Sequence, residues 1–209
     1  MLDASQPPPG APRPDGLRER KKARTRASLR EHALRLFREQ GYQATTVEQI
    51  AAAAEVSPST FFRYFPTKED VVLQDDMDTR MIAAFEQQPP GVSPIAAVRA
   101  AAREMLTSYT GTDLDVIRET TRLTMTVPEV RARAFDEFAR TITVLAEAVS
   151  KRTGRAPDDL AVRTVAGAII GVIMSITIPW ENWSDGTSFE DTFARIDEAL
   201  ALLEAGLPL

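Results

Sequence analysis

Between Ser57-Pro58 and Pro66 the chain has room for one helix of about two turns, and four of its residues are aromatic: Phe61, Phe62, Tyr64 and Phe65, interrupted only by Arg63. Ser-Pro supplies an N-cap and a first helical residue whose missing N–H costs nothing there. Pro66 cannot continue the helix. A helix turns about 100° per residue, so consecutive rings cannot all enter one core. Phe61 and Phe65, four apart, are expected to face inward. Phe62 and Tyr64 then point away, toward something outside the domain. Aromatics are only 7% of the chain, so the cluster is local.

The residues before this helix narrow the possibilities. In "LRERKKARTRASLREHALRLFREQG" Leu29, Ala33, Leu36 and Phe37 keep helical spacing, and Gly41 follows as a stop. His32, the only histidine, lies on this helix without partner ligands and is assigned no role. A second helix starts at Thr46, where Thr46 with Gln49 fits a capping box, as does Thr45 with Glu48 one residue earlier. Val47, Ile50, Ala51 and Ala54 form its apolar stripe. Only Ala54-Glu55-Val56 separate it from Ser57. A basic helix followed by two short helices and a three-residue break is helix-turn-helix geometry, whose second helix enters a DNA major groove.

Each residue type then has a physical task. Thr46, Ser59 and Thr60 offer hydroxyls and helix N-terminal amides to phosphate oxygens, beside Ser57 and Pro58 at the helix start. Arg63 can meet phosphate or guanine, while Phe62 and Tyr64 can touch thymine methyls and sugars. Lys68 adds a cation at the start of the next helix. The net charge of −5 conceals an uneven distribution. From Arg18 to Lys68 eleven Lys/Arg stand against five Glu, whereas from Glu69 onward thirteen Lys/Arg stand against twenty-three Asp/Glu. The basic piece is the one expected to meet a polyanion.

Residues 1–16, with "PPPGAPRPDG", read as a disordered tail, residues 17–66 as the DNA-binding domain, and residues 67–209 as a second helical domain. Thr67 caps a fourth helix, with Glu69 and Asp70 in its first turn, running to about Phe85. Further helices are expected over about 93–108, 113–126, 128–154, 157–178 and 189–204. No segment alternates with period two, so the fold class is all-α with about nine helices. The chain has no cysteine, which excludes disulfides, thiol nucleophiles and thiolate metal sites. No metal or cofactor is expected. No charged-apolar-small leader opens the sequence, so a cytoplasmic location is expected.

Thr164 to Trp180 is uncharged and holds Gly167 and Gly171 four residues apart, the spacing that lets membrane helices approach closely. Seventeen residues fall short of a span, and Arg163 and Pro179 bound the stretch. The reading preferred is a helix buried on all sides, partly by a second subunit.

The segment "ALRLFREQGYQATTVEQIAAAAEVSPSTFFRYFPTKEDVV" resembles the DNA-binding domain of the TetR family of bacterial transcriptional regulators. The Gly41-Tyr42 turn, "TTVEQIA", Val56-Ser57, "TFFRYF" and "TKEDVV" occur in the family's order and spacing. The resemblance implies a homodimer that binds duplex DNA through its first three helices. It also implies a carboxy-terminal domain that binds a small molecule and dimerises through its last two long helices. Thr46, Thr60, Phe62, Tyr64 and Lys68 fall where the family contacts DNA, mainly its backbone. Phe62 stands where the family often has Tyr, Ser59 where it often has Gly, and Glu55 where the turn usually has Gly. If the turn still needs positive φ, Glu55 costs about 1 kcal/mol relative to Gly.

Met77, Met81, Phe85, Met105, Tyr109, Met125, Phe135, Phe138, Met174 and Trp180 are candidates to line an apolar cavity, since methionine adapts to flexible ligands, although each also fits an ordinary core. Arg118 and Arg122, one turn apart, can hold an anionic head group. The apolar helix and "FFRYFPTKEDVV" are also similar to family members that sense fatty acyl compounds. The expected function is a ligand-responsive repressor released from a palindromic operator by a small lipophilic molecule. Two alternatives remain open: a DNA-binding helical protein with a solid core, and a helical enzyme, which would have to rely on scattered carboxylates.

Overall fold

The computed structural model describes the backbone of residues 14–73, 77–177 and 189–208. Among these residues every regular element is a helix: α1 (Pro14–Gln40), α2 (Val47–Ala53), α3 (Pro58–Tyr64), α4 (Asp70–Leu73), α5 (Met77–Gln87), α6 (Pro94–Ser108), α7 (Gly111–Thr126), α8 (Pro128–Thr153), α9 (Leu160–Thr177) and α10 (Phe189–Glu204). The chain divides into two compact units at Val71/Val72, a few residues beyond the boundary expected at Pro66.

Two expectations change in detail. α1 begins at Pro14, inside the stretch expected to lack regular structure. Proline at the first helical position leaves no N–H unsatisfied, which accounts for the start there. The expected fourth helix is represented by α4 and α5, and its continuity through residues 74–76 lies outside the described residues.

The first unit is built on the inward aromatics. Phe61 and Phe65 are fully buried, together with Leu29, Ala33, Phe37, Ile50 and Ala51. The rings of Phe61 and Phe65 lie 5.7 Å apart, and that of Phe37 lies 4.9 Å from Tyr42. Gly41 ends α1 with φ of 88°, a conformation in which a Cβ would be strained.

In the second unit α8 packs against α5, α7 and α9, while α10 packs against α6 and α9. Its core joins Phe85, Ala97, Val98, Leu145, Val149, Ile169 and Leu200. Gly154, in the left-handed conformation, terminates α8. α9 starts three residues later than expected because Asp159 takes the cap. Its Oδ1 accepts from the Ala161 amide at 2.8 Å, so Pro157 and Asp158 remain outside the helix.

An ion network ties α6 to α10. The Arg99 guanidinium reaches Asp197 at 3.0 Å and Glu204 at 2.9 Å, and Arg103 reaches Asp197 at 2.7 Å. Burial opposes ionisation of Asp197, but hydrogen bonds from Arg99 and Arg103 outweigh it and hold the carboxyl below its ordinary range. The hydrogen bond from Ser93 leads in doing the same for Glu204, with Arg99 adding to it.

α9 is the one helix among the described residues long and apolar enough to cross a membrane by length and composition. It nevertheless packs between α8 and α10 of its own unit. Only 22% of it is buried there, so the expectation of burial on all sides is not met within one protomer. A Cβ added at Gly167 or Gly171 would meet nothing within 4 Å.

Candidate nucleic-acid interface

Local capping fixes the two short helices before any long-range contact is needed. At α2 the Thr46 hydroxyl accepts from the Gln49 amide at 3.3 Å, and Gln49 Oε1 accepts from the Thr46 amide at 3.0 Å. This selects Thr46/Gln49 over the alternative box at Thr45. Thr45 is buried instead, its hydroxyl donating to the Gly41 carbonyl at 2.8 Å and accepting from Gln40 at 3.1 Å. At α3 Ser57 Oγ accepts from the Thr60 amide at 3.2 Å, and Pro58 follows as the first helical residue.

The turn between α2 and α3 carries the departure noted in the sequence. Glu55 has φ of 56°, a left-handed conformation that glycine adopts freely and a glutamate does not. The conditional cost of about 1 kcal/mol therefore applies. The turn is held by the Val56 amide on the Ala51 carbonyl at 2.9 Å and the Glu55 amide on the Ala52 carbonyl at 3.1 Å.

With Phe61 and Phe65 inside, the outer face of α3 presents Ser59, Phe62 and Arg63 to solvent, Phe62 being 50% exposed. A phenylalanine so exposed on a seven-residue helix leaves a large apolar surface unused by the fold. The ring of Phe62 meets that of Phe61 edge-on at 5.5 Å, which fixes its position over the core. Tyr64 is half-buried, with the Arg63 guanidinium 5.4 Å from its ring centre. Thr46, Ser57 and Pro58 are exposed at the starts of α2 and α3.

The hydroxyls of α3 have prior commitments. Ser57 Oγ lies 2.8 Å from Ser59 Oγ and 3.0 Å from Thr60 Oγ1, and the Thr60 amide is already capped. A phosphate contact by the Thr60 amide would therefore have to displace the Ser57 hydroxyl.

Lys68 differs more. Its ammonium donates to the carbonyls of Tyr42 and Thr45 at 3.0 and 3.1 Å, and lies 4.0 Å from the Tyr42 ring centre. Two of its three N–H groups hold the turn after α1. Sequence reasoning missed this, because nothing local links residue 68 to residues 42 and 45. It also missed the Tyr42 hydroxyl donating to Glu69 Oε1 at 2.6 Å. Burial opposes ionisation of Glu69, but this bond and others hold its carboxyl below the ordinary range. A third missed contact is Arg26, which donates to the Tyr64 carbonyl at 3.3 Å and stacks 4.6 Å from the Phe65 ring centre.

The candidate ligand contacts of the second unit separate into groups. Phe85 is buried in the main core, and Met81, Phe138 and Met174 pack against it as partly buried neighbours. Met105 is buried on α6, and Met125 is half-buried on α7. Tyr109 is half-buried with Arg80 5.5 Å from its ring centre. Phe135 is 43% exposed and lines no interior. Arg118 and Arg122, expected to bind an anion, are matched by carboxylates of their own helix: Arg118 by Asp115 at 3.4 Å, and Arg122 by the buried Glu119 at 2.7 Å. The Met77 side chain and Trp180 lie outside the described residues.

Comparisons with known proteins agree with this division. Residues 29–74 match the model of bacterial regulatory proteins of the tetR family, and residues 92–208 match that of the MftR C-terminal domain. The transcriptional regulator TcmR of Streptomyces glaucescens is 50% identical over 97 residues, which span 46% of this chain and 43% of that protein. MftR of Mycobacterium tuberculosis is 27% identical over 90% of this chain and 93% of its own length. FadR of Thermus thermophilus, a TetR-family repressor solved with lauroyl-CoA, superposes with a TM-score of 0.53 at 26% identity, covering 88% of this chain and 95% of that one. The family-wide match and the helix-turn-helix with its outward α3 face lead to one conclusion: the chain belongs to the TetR family and is a DNA-binding transcriptional regulator.

Proposed function

We propose that the protein is a dimeric cytoplasmic repressor that holds a palindromic operator through α3 and is released by a small lipophilic molecule of acyl type. The DNA half of this reading is carried by the outer face of α3, where Ser59, Phe62 and Arg63 are exposed opposite a sealed aromatic core. Arg63 supplies the cationic donor, and Phe62 an apolar edge suited to thymine methyls. Thr46, Ser57, Pro58 and Tyr64 border that face and position the helix on the backbone.

The ligand half is supported by Met81, Phe138 and Met174, which pack half-buried against the core that holds Phe85. Methionine and phenylalanine side chains fit a flexible apolar chain and offer few fixed polar anchors for a sugar or nucleotide. FadR of Thermus thermophilus, bound to lauroyl-CoA, is similar in fold. Arg118 and Arg122 are paired with Asp115 and Glu119, so an acidic end of the ligand held there would have to compete with those carboxylates. The dimer is supported by α9, an apolar helix only partly covered within the protomer.

A ligand releases DNA only if it binds the non-binding conformation more tightly by several kcal/mol. The test is anisotropy of a labelled duplex selected from a random-sequence library, with fatty acids and acyl-CoA thioesters titrated into the complex. Release by one of these, lost in a Met81→Trp variant that still binds DNA, supports the reading. Retention of the duplex at saturating concentrations of every such compound would refute an acyl-type inducer.

A further inference from the structure

The amino-terminal turns of α1 are unlike the remainder of the first unit. The family match begins at residue 29, and the first buried residue of α1 is Leu29. From residue 16 to 28 no side chain is buried, although the helix continues without a break. This stretch holds Arg18, Arg20, Lys21, Lys22, Arg24 and Arg26 against the single acid Glu19. The pairs Arg18/Lys22, Arg20/Arg24 and Lys22/Arg26 stand four apart, so like charges face each other along the helix and oppose it. A polar helix without a buried face is not held by packing. A polyanion along it would turn that repulsion into attraction.

The position of this segment relative to α3 is fixed by Arg26. Its guanidinium donates to the carbonyl of Tyr64 and stacks on Phe65, at the carboxy-terminal end of the recognition helix. Lys22 and Arg18 stand one and two turns earlier on the same helix face as Arg26. A basic row therefore continues from Arg63 and Tyr64 past the end of α3.

We propose that residues 16–28 of α1 form a second DNA contact, gripping phosphates that flank the sequence met by α3, with Arg18, Lys21 and Lys22 as its principal cations. The inference rests on the DNA-binding reading above and adds an interface upstream of the family domain. An anionic membrane surface is the less suitable partner, because the segment's apolar residues are only Leu17, Ala23 and Ala27 and form no amphipathic stripe. Evenly spaced phosphates require no such stripe.

The test uses the full-length chain and a variant carrying Arg18→Gln, Lys21→Gln and Lys22→Gln. Affinity for a duplex selected from a random-sequence library is measured across a salt series. Each lost phosphate contact lowers the slope of log K against log salt by about 0.9, so the variant's slope should be about 2 to 3 smaller, with binding at low salt weaker by at least about tenfold. A companion variant, Arg18→Lys, keeps its charge and should keep the slope. Amide exchange across residues 16–28 should slow when duplex is added to the wild type. The substituted positions are exposed and the change removes like-charge repulsion, so helicity by circular dichroism and melting should not fall below the wild type.

If the wild type binds duplex and the triple variant keeps both slope and affinity, the second contact is overturned while the helix-turn-helix reading stands. If the triple substitution instead abolishes binding only to phosphatidylserine-containing vesicles, the partner is a membrane and the proposal fails. Failure of the wild type to bind any duplex removes both readings together.

Discussion

The two units of this protein are stabilised by different means. The first joins signals close together in sequence (the Thr46/Gln49 box, the Ser57-Pro58 cap, two phenylalanines four residues apart) to ties over 23 to 38 residues, from Lys68 to Thr45 and Tyr42 and from Arg26 to Tyr64. The second depends on contacts across about a hundred residues, such as Arg99 on Asp197 (98 apart) and Glu204 (105 apart), and on a helix, α9, that its own unit covers only in part. The contrast follows from the tasks. A surface that must match a DNA groove has to be rigid and self-contained. Under the proposed function the second unit pairs with a copy of itself and responds to a ligand, a task that tolerates apolar surface left to a partner.

The contrast is broken first by emptying the aromatic core. Phe61→Ala should destabilise the first unit by about 3–5 kcal/mol, because it removes a fully buried ring from the aromatic core. Calorimetry should show loss of one transition and all DNA binding, with the second unit's transition retained. If both units melt together, their stabilities are not separable.

A smaller effect is expected from Asp197→Asn. The partly buried Arg99 and the exposed Arg103 lose their shared carboxylate, at a cost of about 1–3 kcal/mol confined to the second unit, nearly all of it at Arg99. The same network predicts a pH dependence. The carboxyls of Asp197 and Glu204 are lowered in the folded state, so their contribution is fully present above the ordinary carboxylate range. It is lost as pH falls from that range through the lowered values. Melting of the second unit between about pH 6 and pH 3 should show this loss in the wild type and less of it in the variant.

The smallest effect sharpens the reading of the turn. Glu55→Gly relieves a positive φ and should stabilise the first unit by up to about 1 kcal/mol. Unchanged or lower stability on denaturant titration would mean that the glutamate is compensated by contacts elsewhere.

How much of this was legible in the sequence differs between the units for the same reason. The inward and outward partition of Phe61, Phe62 and Phe65 follows from helical phase alone, and the structure reproduces it. So do the cap at Ser57 and the stop at Gly41. The position of Lys68 before α4 is legible, but its carbonyl partners, 23 and 26 residues away, are not. Arg118 and Arg122 are legible as a cationic pair, and so are the acids that match them, Asp115 and Glu119, three residues earlier on the same helix. The core role of Phe85 and the exposure of Phe135 depend on which helices meet, and periodicity does not determine that.

The central claim is that α3 of two protomers reads duplex DNA, with α9 contributing to the pairing. It is tested most directly by selecting duplexes from a random library with the wild type and with Gly171→Leu. In the protomer a Cβ at Gly171 meets nothing, so the variant should fold normally. Across a dimer seam the added side chain overpacks by about 1–3 kcal/mol. The wild type should yield a palindrome whose half-sites lie roughly 34–36 Å apart, or a multiple of that, and the variant should sediment as a monomer and lose the palindrome. Selection of no shared sequence by the wild type, or an undisturbed dimer that keeps its palindrome in the variant, would contradict the account.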